Sequence, residues 1–270
     1  MNYCLRYRKD SKYMEDADEL MFVMKSDTES PFIHFRNNVQ RYSAQRLVVI
    51  IEDVDSFLKW NTASVVNYLV NDLGMNIAVC FDHYEERLAN TISDMKAEGL
   101  DFFFATRVAD WSTLIGLMDM GVSDVYIVED LGFQLAEIAP ITEKAEVNVR
   151  VFANVCQTPW ARGDRMKSFF IRPEDVDTYS QWVDVIEFFG DVSREDVYYR
   201  IYAIDKRWFG DLREIIMGMN FSLDSRYIVP QFGEVRGKCG LKCLRGARCR
   251  ICDETLKTTE NIRKLYEATE

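Results

Sequence analysis

The feature that most constrains this chain is a repeat in its apolar runs. Leu47–Ile51 (LVVII), Ile77–Phe81 (IAVCF), Asp101–Thr106, Asp124–Val128 (DVYIV) and Val147–Ala153 (VNVRVFA) each read as a strand, and they start near positions 47, 76, 101, 124 and 147. The intervals of 29, 25, 23 and 23 residues each hold one strand, one helix and two short loops. That is the βαβ unit of a parallel sheet, which needs a crossover of a dozen or more residues. The runs are β-branched and almost uninterrupted, as expected of strands buried on both faces. Between them, Asp55–Leu73 carries Phe57, Trp60, Val65, Leu69 and Leu73 at helical spacing, with Gly74 as a stop. Asp82–Glu98, Asp110–Met120 and Gly132–Ala139 read as the following helices, the last ending at Pro140.

No GxGxxG or GxxxxGK[ST] opens any of these helices, so a dinucleotide or P-loop reading has no anchor. Successive βα units leave an open doubly wound sheet or a barrel. Two further strands, Ser168–Arg172 and Val183–Phe189, favour a TIM-barrel-like parallel sheet, complete or not. Residues 1–45 show only short runs (Tyr3–Tyr7, Leu20–Met24, Pro31–Phe35) and are expected as an extension with edge strands. Residues 46–222 form the barrel domain, with 191–222 helical along Val197, Ile201, Ile204, Trp208, Leu212 and Ile216. Residues 223–270 are a cysteine-rich knuckle followed by a helix over Thr255–Glu270, packed through Ile262, Leu265 and Tyr266.

The knuckle is RGKCGLKCLRGARCRIC, Arg236–Cys252. Four of the chain's seven cysteines, Cys239, Cys243, Cys249 and Cys252, fall in fourteen positions with the spacing C-x3-C-x5-C-x2-C. Four soft thiolates so close together can enclose one tetrahedral ion or the corners of a cubane cluster. A redox pair at Cys249–Cys252 and uncoordinated thiols are the alternatives. The six basic residues of this stretch lie in a chain of net charge −11, so the remainder carries −17. They lower thiol pKa and offset an anionic centre. They could also contact an RNA loop, through Arg245 and Arg248, or a protein partner. The acidic body excludes broad binding to DNA or anionic membrane. No apolar run reaches the roughly 18 residues of a membrane span, and the charged N-terminus lacks a secretion signal, so the cytoplasm is the expected location.

The run GVSDVYIVEDLGFQLAEIAPITEKAEVNVRVFANVCQT, Gly121–Thr158, resembles the peptidase U32 family: a strand ending in an Asp-Leu-Gly turn (Asp130–Gly132), a helix, then a strand entering an Asn-containing loop at Asn154. VDVIEFFGD, Val183–Asp191, is similar to that family's Glu-plus-aromatic strand. The resemblance implies a βα-barrel with hydrolase or hydroxylation-type activity, and in several members a four-cysteine iron–sulfur cluster. Here the cysteines are bunched after the barrel, not spread around it. Zinc is therefore favoured by a small margin over a [4Fe-4S] cluster.

Sites of βα-barrels lie at the C-terminal strand ends. Those ends supply Glu52, Asp82, Arg107, Asn154 and Gln157 as ligand-binding candidates. Glu129, Glu187 and Arg172 are the catalytic candidates, the two glutamates as acid–base groups. Such a ring suits an anionic or hydroxylated ligand. The alternative is that these side chains cap helices and hold loops; Arg172-Pro173-Glu174-Asp175 in particular reads as a strand-to-helix corner. A non-catalytic interaction protein with structural zinc, and an RNA-binding or RNA-modifying protein, are the competing functions. Cys80 reads as a small core residue, with a Cys80–His83 or Cys156–His83 pair as the nucleophilic alternative.

Overall fold

The structure, a computed structural model, describes residues 1–24, 39–42, 45–52, 54–55, 76–156, 169–219, 222–240 and 250–267. Among the described residues are nine strands: β1 (Asn2–Arg6), β2 (Glu19–Met24), β3 (Arg46–Ile51), β4 (Asn76–Phe81), β5 (Asp101–Phe104), β6 (Arg107–Val108), β7 (Asp124–Ile127), β8 (Asn148–Phe152) and β9 (Val185–Glu187). All pairings are parallel, in the order β5-β4-β3-β2-β1-β9-β8-β7-β6.

The two ends of that order belong to one stretch of chain, 101–108. Its first half pairs with β4 and its second with β7. The Ser123 amide donates to the Phe102 carbonyl at 2.8 Å and so ties the start of β7 to β5. The sheet therefore curls until its ends meet in the same segment, a TIM-barrel-like arrangement.

The strand runs from Leu47 to Phe152 are where the periodicity places them. The N-terminal expectation is corrected. β1 and β2 are not edge strands; they lie inside the order, with Asn2 beside Val185 and Leu20 beside Leu47. The strand expected at Ser168–Arg172 is also corrected. β8 pairs directly with β9, so no strand lies between them. The Ile171 amide bonds to the Ala153 carbonyl, just beyond the end of β8.

Helices on the outside are α1 (Ala89–Ala97), α2 (Trp111–Asp119), α3 (Leu135–Lys144), α4 (Val176–Tyr179), α5 (Glu195–Tyr199), α6 (Phe232–Lys238) and α7 (Ile251–Glu267). Asp110 caps α2, its carboxylate accepting from the Thr113 amide at 2.9 Å. α3 does not end at Pro140 but runs through it. Proline removes one helical hydrogen bond, and the buried face of Leu135, Ile138 and Thr142 outweighs that loss. The helix expected over 191–222 is shorter. α5 continues as a π-turn over Arg200–Asp205 and stops where Lys206 is left-handed (φ 47°). Val197 and Ile204 then face solvent instead of forming part of an apolar stripe. Most of the helix expected over Asp55–Leu73 lies outside the described residues, as do the side chains of Ile262, Leu265 and Tyr266.

α6 docks at very short range because two of its positions carry no side chain. A Cβ on Gly237 would lie 2.1 Å from the Trp182 ring, and one on Gly233 2.5 Å from the Asp175 carboxyl carbon. Among the described residues no helix is long and apolar enough to cross a membrane.

Candidate active site

Within the barrel, inward positions alternate along each strand. Glu19, Arg46, Asp101 and Asp124 each open a strand. They fill the N-terminal end with charge where branched apolar residues are usual. Arg46 donates to both Asp124 oxygens, at 2.9 and 2.8 Å, to Asp101 at 2.7 Å and to Glu19 at 3.3 Å. One layer up, the fully buried Arg150 spans three strands. Its Nη1 reaches Asp124 at 2.8 Å, its Nη2 Glu19 at 2.7 Å, and its Nε Glu187 at 2.8 Å. The guanidinium also lies over the rings of Phe103 and Tyr126. Burial raises the Asp124 carboxyl, but the Arg46 hydrogen bonds and the charges of Arg150 and Arg46 win and hold it at about 2.

Above this plug, at the C-terminal strand ends, a cavity of about 500 Å³ opens. That lies within the roughly 300–1,000 Å³ of small-molecule sites. Its lower wall is soft and apolar: Cys4, Met21, Val23, Ile50 and Cys80. Tyr126, Phe152 and Phe189 form the facing wall. Tyr126 and Phe152 are stacked at 5.2 Å, and Phe152 meets Phe189 edge-on at 5.6 Å.

Glu187 joins plug and cavity. Its Oε1 accepts from Tyr126 Oη at 2.7 Å and from Arg150. Among the described residues every bond of its carboxyl uses Oε1, which leaves Oε2 to the cavity that Glu187 lines. Burial raises its pKa; Arg150 and the Tyr126 hydroxyl oppose that without cancelling it. Glu195, on α5, also lines the cavity and is likewise raised by burial. It accepts from the Arg6 amide at 3.0 Å and from Arg6 Nε, while Arg6 Nη2 reaches the Gly190 carbonyl at 2.7 Å. Arg107 lies 5.5 Å over the Phe189 ring, and among the described residues it makes no ion pair.

Of the candidates named from sequence, Glu52, Asp82, Arg107 and Glu187 come together around this cavity. Arg172, Asn154 and Glu129 do not line it. Arg172 is buried, donating to both Asp175 oxygens at 2.6 Å and stacked over Phe232; it is the corner-forming residue of the alternative reading. Asn154 is fully buried; its amide donates to the Phe189 carbonyl at 2.9 Å and accepts from the Phe189 amide at 2.7 Å. It thus holds the loop that presents Phe189. Glu129, two residues beyond β7, opens a 3-10 turn with a left-handed φ of 51° and is outside the cavity lining. Gln157 lies outside the described residues.

Cys4 and Cys80 line the cavity as thiols raised by burial, which does not suit a nucleophile; Cys80 Sγ contacts the Phe81 carbonyl at 3.7 Å. His83 is exposed and bonds to Asp82. Arg6, Glu195 and Tyr126 are site residues that sequence reasoning missed. The Glu19–Arg46–Arg150 plug was missed as well. A charged residue at the same inward phase of several strands is the signal that reveals them.

Of the knuckle, Cys243 and Cys249 lie outside the described residues. Cys239 caps the C-terminus of α6, and Cys252 lies in the first turn of α7. Both are half-buried against the core, and the Gly240 amide bonds to the Phe133 carbonyl at 2.7 Å. Among the described residues no group of three or more His, Cys, Asp or Glu could hold a metal.

No family model matches the chain, and no curated protein matches it. Among solved structures, tryptophan synthase from M. tuberculosis is similar over 76% of this chain and 92% of its own, at 11% identity and a TM-score of 0.42. The U32 peptidase Mk0906 is similar over 71% of this chain and 93% of its own, at 11% identity and a TM-score of 0.43. At that level neither speaks to chemistry.

Proposed function

We propose that this is a U32-like barrel protein that binds a small organic ligand in the mouth cavity, with Glu187 as the group that gives or takes a proton there. The observation that carries the reading is the Glu187 carboxyl. It is held by one oxygen on Arg150 and Tyr126, it is raised by burial, and its other oxygen faces a ligand-sized cavity at the end of the barrel where such sites lie. The Asp-Leu-Gly turn and the Asn154 loop, Gly121–Thr158, support the U32 likeness.

Ala105 lines the cavity and is only part-buried, so a larger side chain there fills the cavity without changing its charge. A mixed library of anionic, neutral and cationic small molecules, screened by ligand-observed NMR, is expected to give saturable binders that Ala105→Trp removes. A library without such binders would sink the reading.

The four knuckle cysteines are proposed to hold zinc or an iron–sulfur cluster, with zinc favoured. Cys239 and Cys252 stand at two helix ends packed on one core, a fixed pair to which Cys243 and Cys249 would add two thiolates. Bound there, the metal would fasten the tail to the barrel. Elemental analysis of the intact protein is expected to find about one zinc per chain, absent from the variant with all four cysteines changed to serine. Visible absorbance with bound iron would indicate the cluster instead, and equal metal in both proteins would refute the site.

A further inference from the structure

We infer that the mouth cavity takes a small organic ammonium ion, its cation seated between the Phe152 and Phe189 rings and the open oxygen of Glu187. This rests on the reading of the mouth as a ligand site and names the charge class of what enters it.

The lining charges point this way. Two guanidiniums, Arg6 and Arg107, face four carboxyls, Glu52, Asp82, Glu187 and Glu195. Arg6 is taken up by Glu195 and by the Gly190 carbonyl, which leaves Arg107, among the described lining residues, as the cation a ligand would meet. An incoming anion would meet the carboxyls of Asp82 and Glu187, in a chain whose net charge of −11 already repels it. The expectation of an anionic ligand came from the presence of arginine at the strand ends. With Arg172 bound to Asp175, that basis narrows to Arg107.

The aromatic wall adds an independent reason. Ring faces attract cations, and this fold already seats two on them: Arg150 over Tyr126 from the plug side and Arg107 over Phe189 at the rim. Phe152 lies between these rings and is the register partner of Glu187. A cation at Phe152 would therefore have an aromatic face and a carboxylate side by side. Glu187 is 5% exposed, and among the described residues its Oε2 makes no hydrogen bond or ion pair. The remaining wall, Cys4, Met21, Val23, Ile50 and Cys80, offers alkyl and sulfur surface. The two thiols stay protonated, and among the described residues no metal-holding group is present, so the wall suits carbon-bearing nitrogen better than an inorganic ion.

Isothermal titration of the intact protein with benzyltrimethylammonium, benzyl alcohol and benzoate compares one ring carrying three charges. The ammonium is expected to bind about tenfold more tightly than the alcohol, with benzoate weakest. Phe189→Leu and Glu187→Gln should each weaken the ammonium alone, by about fivefold or more. Phe189 is 37% exposed and the glutamine is isosteric, so neither substitution removes a large buried group. Benzoate binding as tightly as the ammonium, ammonium binding that survives both substitutions, or no binding by any of the three overturns the inference. If anionic or neutral library members still bind and are lost in Ala105→Trp, the cavity remains a ligand site and only its charge class is refuted.

Discussion

Arg150→Met should lower the folding stability by about 3–5 kcal/mol, the usual cost of removing one member of a buried ion cluster. The arginine has no exposed surface and makes three charge-assisted bonds, to Glu19, Asp124 and Glu187, on three different strands. Methionine keeps much of the stem volume, so the lost packing is small and the loss is mainly electrostatic. Asp124 and Glu19 keep Arg46, but Glu187 loses its cation in a site where burial already raises its pKa. Adding Glu187→Gln to Arg150→Met should then cost less than the two substitutions summed. Urea unfolding of the four proteins in the cycle measures this. A single-variant loss under about 1 kcal/mol would show that the plug does not hold the barrel together.

Stability should pass through a maximum on the acid side of neutrality. Asp124 is held at about 2 against an ordinary 3.8. Its contribution is fully present above the ordinary value and is lost as pH falls from there through about 2; the difference is worth about 2 kcal/mol. Glu187, Glu195 and Asp175 are raised by burial and act in the opposite sense. Each penalises the folded state when ionised. Stability therefore rises as pH falls through their folded values, and that gain is complete below their ordinary ones. Urea midpoints taken from neutral pH downward should climb and then fall. Asp124→Asn, less stable throughout, should show a shallower acid limb. A midpoint that only decreases from neutrality would mean that the raised carboxyls do not titrate as assigned.

Strands that are apolar on both faces were legible in the sequence. LVVII, IAVCF and DVYIV need no partner to be recognised, and their spacing carried the βα architecture. NYCLR and ELMFVM were read as peripheral because residues 1–45 show only short runs, and each carries a charge at one end, Arg6 and Glu19. Those charges point into the barrel, one toward the mouth and one into the plug. A polar interior defeats the rule that buried strands look greasy. The site was half legible for a related reason. Glu52, Asp82, Arg107 and Glu187 follow from strand ends alone. Arg6 and Glu195 required β1 to be recognised as a barrel strand. Arg172 and Asn154 occupy equivalent-looking positions but fix a corner and a loop, work that uses the same side-chain chemistry as ligand binding.

Asn2 lies against Val185, so β1 must wait for the distant β9 before its outer hydrogen bonds exist. Until then β1 has only β2 as a neighbour, and the ring remains open along that seam. Loop closure over so long a separation is slow compared with forming adjacent βα units. Refolding should therefore end with sealing of this seam, and exchange protection at Asn2, whose amide bonds across it to the Asp184 carbonyl, should appear after that at Val48 and Val79.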